Sequence, residues 1–156
     1  MYMAPVSGFL FFASADTSLN ELRVSDDDAD QLVVQYLRNV DPVARVVHKP
    51  SFRRVYNEFR RQRGFDNPSS VDDFANSKKA MVFAALFSGA VSMDEEALID
   101  KLGCHKASLV FRLQLATEIS LGRAHLSQTS RLQTMQAYVM YLVRAYSHFH
   151  TGPFPR

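Results

Sequence analysis

Ala80-Met81-Val82-Phe83-Ala84-Ala85-Leu86-Phe87-Ser88-Gly89-Ala90-Val91 is the longest apolar stretch in the chain, interrupted only by Ser88 and Gly89. A helix crossing a bilayer needs roughly 20 apolar residues, so this run predicts a buried core helix in a soluble chain. Upstream it extends to Asp72 or Ser77, behind the loop Asn67-Pro68-Ser69-Ser70. A helix apolar nearly all round needs other helices on every side. The residues before and after it decide whether they exist.

They do, on both flanks. Ser25-Asp26-Asp27-Asp28 reads as an N-cap with acids at the positive end of a helix dipole. Leu32, Val33, Tyr36, Leu37 and Val40 follow at helical spacing, and Asp41-Pro42 is expected to stop that helix. Asp41 also suits the cap of a short turn with Pro42 at its first position. Pro50 favours the next helix, whose stripe is Phe52, Val55, Tyr56 and Phe59, and Gly64 ends it. Ser92-Met93-Asp94-Glu95 fits a capping box for a short helix stopped at Gly103. Two longer helices are expected at about 105–124 and from Ser127 or Thr129 to Ser147. The last carries the stripe Leu132, Met135, Val139, Leu142, Val143 and Tyr146. No alternating run of useful length predicts a strand. The fold class is all-α, a single irregular bundle of about five to six helices, with an extension at 1–25 (carrying the apolar strap Phe9–Phe12), a helical domain at 26–147 and a tail at 148–156. Three helices are apolar on more than one side. Left uncovered, such faces invite association.

At 156 residues the chain has the length of one domain, and 47% hydrophobic with 22% charged residues excludes a disordered or low-complexity class. One cysteine, Cys104, excludes an internal disulfide framework and a zinc site built from several thiolates. A net charge of +2 is too mild to argue for nucleic-acid binding. The histidines His48, His105, His125, His148 and His150 lack metal-ligand spacing. Cys104 beside a helix start reads as a buried or incidental thiol before a reactive one. No glycine-rich phosphate loop is present, and Gly122 inside its helix marks a close helix contact. Glu118 stands in an apolar stretch, where a buried acid needs a partner. A structural ion pair with Arg112 or Arg123 is the first expectation, and an active-site acid the second. Arg53, Arg54, Arg60 and Arg61 lie opposite the aromatic stripe of their helix, as a solvated face or a basic contact surface for phosphates or an acidic partner.

Four phrases, in order, resemble the regulatory middle homology domain of fungal-specific transcription factors of the zinc-binuclear-cluster class. The first, Tyr36-Leu37-Arg38-Asn39-Val40-Asp41-Pro42 through His48-Lys49-Pro50-Ser51-Phe52, is similar to the family's F-x-x-N-V-D-P…H-x-P-[ST] signature. Leu86-Phe87-Ser88-Gly89-Ala90-Val91-Ser92-Met93 is similar to its small-residue helix and following serine. Phe111-Arg112-Leu113-Gln114-Leu115-Ala116-Thr117-Glu118 and Leu132-Gln133-Thr134-Met135-Gln136-Ala137-Tyr138-Val139-Met140-Tyr141-Leu142 resemble the [YF]-R-x-A-x-E and L-x-T-L-Q-A helices. The resemblance covers residues 8–146 and implies a helical regulatory module of a nuclear transcription factor, not an enzyme. Relatives carry a six-cysteine zinc cluster before this domain and more helices after it. These residues are therefore expected to be the front portion of the domain, without zinc, without other cofactors and without direct DNA or membrane binding.

On this reading the marked residues are structural. Asp41 and Pro42 set a turn, His48, Pro50 and Ser51 fix the start of the next helix, Gln136 bonds within the helical core, and Glu118 is buried. The expected partners are other parts of a transcription factor or a related factor, including a homo- or hetero-oligomer. The alternatives are a stand-alone partner-binding protein that blocks a relative, a small ligand-binding or enzymatic protein using His48, Glu118 and His125, and a gene remnant.

Overall fold

A computed structural model describes residues 22–61, 73–124 and 132–150. Every element among them is helical. They are α1 (Asp26–Gln35), a π turn (Tyr36–Val40), the one-turn α2 (Asp41–Ala44), α3 (Lys49–Arg61), α4 (Asp73–Ser92), α5 (Glu95–Leu102), α6 (Lys106–Arg123) and α7 (Leu132–His150). The all-α bundle expected from the periodicity is the observed architecture. The Phe9–Phe12 strap, Gly64, the Asn67–Ser70 loop and His125 lie outside the described residues. Among the described residues no helix is long and apolar enough to cross a membrane.

α4 is the axis of the bundle. From Ala80 to Phe87 no side chain is more than 3% exposed, and Ala90 is wholly buried. α6 and α7 pack along most of its length, while α1, the π turn and α3 cover the remaining sides. α6 runs antiparallel to α4: the Lys106 ammonium donates to the carbonyls of Val91 (3.0 Å) and Met93 (2.7 Å), and at the other end Asn76 donates to the Arg123 carbonyl at 3.4 Å. Lys106 thereby satisfies carbonyls at the C-terminal end of α4 that no helical N–H can reach. α7 runs parallel to α4, with Ser77 and Thr134 hydroxyls 2.5 Å apart and the Phe87 and Tyr141 rings 5.7 Å apart. Tyr36, Phe52, Tyr56, Phe59 and Phe83 form a chain of ring contacts that ties α3 to the π turn and to α4.

Several local expectations are corrected. Asp41-Pro42 does not stop the first helix. The Asp41 N–H reaches the Tyr36 carbonyl five residues back, and this π turn accommodates the proline. The chain stays helical to Ala44 and turns out at Arg45, whose φ of 49° is left-handed. The Ser92 capping box does not form either. Ser92 is the last residue of α4, its hydroxyl donating to the Gly89 carbonyl, and Asp94 is the residue ahead of α5, without a side-chain cap bond. α7 is rolled away from the expected stripe: Thr134, Ala137, Met140 and Tyr141 are buried, while Leu132 is 67% and Val143 50% exposed, with Met135 and Val139 also exposed. Ala137 and the Ser77–Thr134 hydroxyl pair let α7 approach α4 closely on that face. On α6, Leu109, Leu113, Ala116 and Ile119 are buried, but Phe111 is 62% exposed. Gly122, expected at a close helix contact, is exposed.

The close contact falls at Gly89 instead. A Cβ built there would stand 2.4 Å from the Leu32 carbonyl oxygen, so the α1 backbone lies directly on the α4 backbone. Across the same crossing Gln35 donates to the Ser92 hydroxyl at 3.2 Å. A backbone oxygen cannot move aside as a side chain can. Gly89→Ala is expected to lower unfolding stability by about 1–3 kcal/mol, the range for overpacked cores, as read by urea denaturation.

Candidate functional site

The marked residues of the first signature gather around the α2–α3 connection. Asp41 is buried at 4% exposure, with Oδ2 3.9 Å from the Lys49 ammonium and Oδ1 without a hydrogen-bond partner among the described residues. Its carbonyl accepts from the Arg45 N–H at 2.7 Å, closing the one-turn helix in which Pro42 is the second residue. Three residues further on, the His48 carbonyl accepts from the Phe52 N–H at 2.9 Å. The His48 ring Nδ1 and the Ser51 hydroxyl share a 2.8 Å hydrogen bond, and Pro50 occupies a first-turn position where a missing N–H costs nothing. This side-chain bond ties the residue ahead of α3 to the first turn of the helix. Gln136 reaches this connection from α7, donating to the Val46 carbonyl at 2.8 Å. Its bond is to the loop backbone rather than to another helix. The group works as a staple: Gln136 satisfies the carbonyl of the half-buried Val46 and joins the connection to the last helix.

Glu118 belongs to a separate contact between α6 and α7. It is fully buried, and Tyr141 donates a short hydrogen bond to its Oε1. The Gln114 amide lies 3.5 Å from both Glu118 Oε1 and the Tyr141 oxygen. The expected ion pair is absent among the described residues: neither Arg112 nor Arg123 reaches the carboxyl, and Oε2 has no hydrogen-bond partner. Burial outweighs the two hydrogen bonds and pushes the carboxyl up to about 7. The same burial, with the neighbouring Glu118, pushes the Tyr141 hydroxyl upward as well. The arrangement is a hydrogen-bonded fastener between α6 and α7 whose acid is protonated below about pH 7.

The other chemical candidates stand apart. Burial pushes the Cys104 thiol up, Asp28 adding to the effect and Arg112 opposing it, which disfavours the nucleophilic thiolate. His105 is exposed, 3.7 Å from Glu95. Among the described residues no group of three or more His, Cys, Asp or Glu side chains could hold a metal ion. Arg53, Arg54 and Arg61 are exposed on the outer side of α3, whereas Arg60 is half-buried with a guanidinium nitrogen 3.4 Å from Asp30. Sequence reasoning missed Gln35, Lys106, Gln114 and Tyr141. Each is a polar residue with a partner on a different element, although Gln114 also meets Glu118 four residues along its own helix.

Comparison with known proteins places this bundle. The chain is 33% identical over 121 residues to the C6 finger domain transcription factor nscR of Arthroderma gypseum, covering 77% of this chain and 16% of that protein. It is 31% identical over 123 residues to the C6 finger domain transcription factor adaR of Aspergillus niger, covering 79% of this chain and 15% of that one. With hasF of Aspergillus fumigatus, of the same description, it shares 25% identity over 150 residues, 88% of this chain and 20% of the relative. No family model and no solved structure matches the chain. The chain is thus homologous to a segment of fungal C6 finger domain transcription factors, proteins of transcription regulation rather than enzymes, and spans only 15–20% of the length of these relatives.

The raised carboxyl gives the α6–α7 contact a pH signature. An unfolded glutamate titrates near its ordinary value of 4.5, and the folded one near 7. The contribution of Glu118 is therefore present in full below pH 4.5 and lost as pH rises through 7. Glu118→Gln keeps an oxygen acceptor for Tyr141 and cannot ionise. Between those limits the native chain should lose on the order of 2–3 kcal/mol more stability than the variant, in urea unfolding curves taken at stepped pH.

Proposed function

We propose that this chain acts in the regulation of transcription as a helical, non-catalytic module that makes protein contacts, in the nucleus, with other parts of a transcription factor or with a related factor. It has no DNA-binding element and no zinc of its own. The observation that carries this reading is the extent of the likeness: 77–88% of the chain aligns with a segment of C6 finger domain transcription factors, yet its only cysteine is Cys104. A cluster of six cysteines cannot be assembled from these residues. The staple around Asp41, His48, Ser51 and Gln136 is then a means of holding a contact surface rigid, because it ties the α2–α3 connection to the first turn of α3 and to α7. The exposed apolar residues Leu132, Met135 and Val139 along α7 support protein contact, since soluble proteins seldom leave such a row uncovered.

A reporter assay tests the reading directly. The chain is inserted between a heterologous DNA-binding domain and an activation segment, and purified chain is separately titrated against random duplex DNA. Reporter output is expected to change when the folded chain is in cis and to return when Gly89→Phe, whose ring has no room against the Leu32 carbonyl, unfolds it. No retardation of duplex is expected at about micromolar chain. Unchanged output, or binding of duplex by the chain alone, would overturn the reading.

A further inference from the structure

α3 divides its two faces sharply. Phe52, Val55, Tyr56 and Phe59 are buried, and every other side chain from Lys49 to Arg61 is polar or is Pro50. The cations of this helix are Lys49, Arg53, Arg54, Arg60 and Arg61, against the single acid Glu58. Glu58 is already engaged by Lys78 at 2.8 Å, Lys49 lies within 3.9 Å of Asp41, and Arg60 is drawn to Asp30. Arg53, Arg54 and Arg61 remain exposed, with no carboxylate of the described residues in ion-pair range. Arg54, Asn57 and Arg61 follow one another at three- and four-residue spacing, as do Lys49, Arg53, Asn57 and Arg60. Both rows lie on the same outer side of the helix, and Arg54 and Arg61 stand about 10 Å apart along its axis.

We infer that this outer side of α3 is a docking surface for an acidic peptide segment of a protein partner. The inference rests on the reading of the chain as a protein-contact module and names the partner's chemistry. Charge complementarity selects the class. Three guanidiniums without a carboxylate partner among the described residues match carboxylates spaced about 10 Å apart, which a helical peptide offers seven residues apart. A phosphate polymer fits less well, for three reasons. Asp26 lines a cleft together with Asn57, Arg60 and Arg61, so a continuous line of phosphates would meet a carboxylate at that end. Non-specific duplex binding draws on roughly 6–10 phosphate contacts, more than this surface holds. Among the described residues no aromatic side chain lies among the arginines to stack a base, since the rings of α3 belong to its buried stripe. A peptide can place neutral residues opposite Asp26. With no exposed apolar anchor on α3, the contact depends on charge and weakens with salt.

The test uses the full chain and a fluorescent glutamate-rich helical peptide with acids at positions i, i+3 and i+7, followed by anisotropy. Saturable binding is expected, weaker by about tenfold when salt is raised from roughly 50 to 300 mM. The triple variant R53E/R54E/R61E should lose at least about tenfold in affinity, while the lysine triple variant keeps a measurable part. All three side chains are exposed, so the variants should unfold like the parent. If the triple variant does not, R54E alone carries the same test with a smaller loss. A glutamine version of the peptide should not bind. Absence of peptide binding, binding unaffected by the charge reversal, or competition by random duplex DNA at equal concentration would each overturn the assignment. Loss of peptide binding with the reporter effect intact removes this surface alone. Intact peptide binding with no reporter effect removes the broader reading instead.

Discussion

The whole arrangement depends on burying α4 on every side. A helix with no polar face cannot be anchored by one neighbour, so α6, α7, α1, the π turn and α3 are all required at once. The tightest of these contacts is at Gly89, where the Leu32 carbonyl lies where any side chain would begin. Small residues set the spacing there, and the polar bond from Gln35 to Ser92 fixes the register beside it. The Ser88 and Gly89 that interrupt the apolar run are thus part of what allows the run to be buried.

Polar groups in this bundle serve mainly to align helices. Ser77 with Thr134, Lys106 with the end of α4, Gln136 with Val46, and Glu118 with Tyr141 each join two elements distant in sequence. A hydrogen bond of this kind adds little net stability, but leaving either partner unmade inside the bundle is costly. Mispacked arrangements are disfavoured for that reason more than the native one is favoured. Glu118 is the extreme case: with no cation of the described residues beside it, burial raises its carboxyl to about 7, and a hydroxyl from the facing helix is its hydrogen-bond partner.

The outer surface shows a different division. α3 keeps its rings inside and sets arginines outside, whereas α7 turns Leu132, Met135 and Val139 outward. A module of this kind, homologous to a segment of much longer transcription factors, has one face suited to charge and another suited to apolar contact. Neither involves the staple around Asp41 and His48.

Helix number, helix type and the identity of the central helix were legible in the residues alone, because they follow from local quantities: apolar spacing, caps such as Ser25, and the length of the 80–91 run. The resemblance to transcription-factor regulatory domains was legible too, through short phrases such as Asn39-Val40-Asp41-Pro42. What the sequence by itself could not decide is how each helix is rolled about its axis. α7 has apolar residues on two sides, and periodicity allows either to face inward. Only the fit of Ala137 and Thr134 against α4 selects one. The partner of Glu118, the π turn that carries the chain past Pro42 and the contact at Gly89 are likewise tertiary decisions, since each depends on a backbone or side chain brought near by packing rather than by sequence distance.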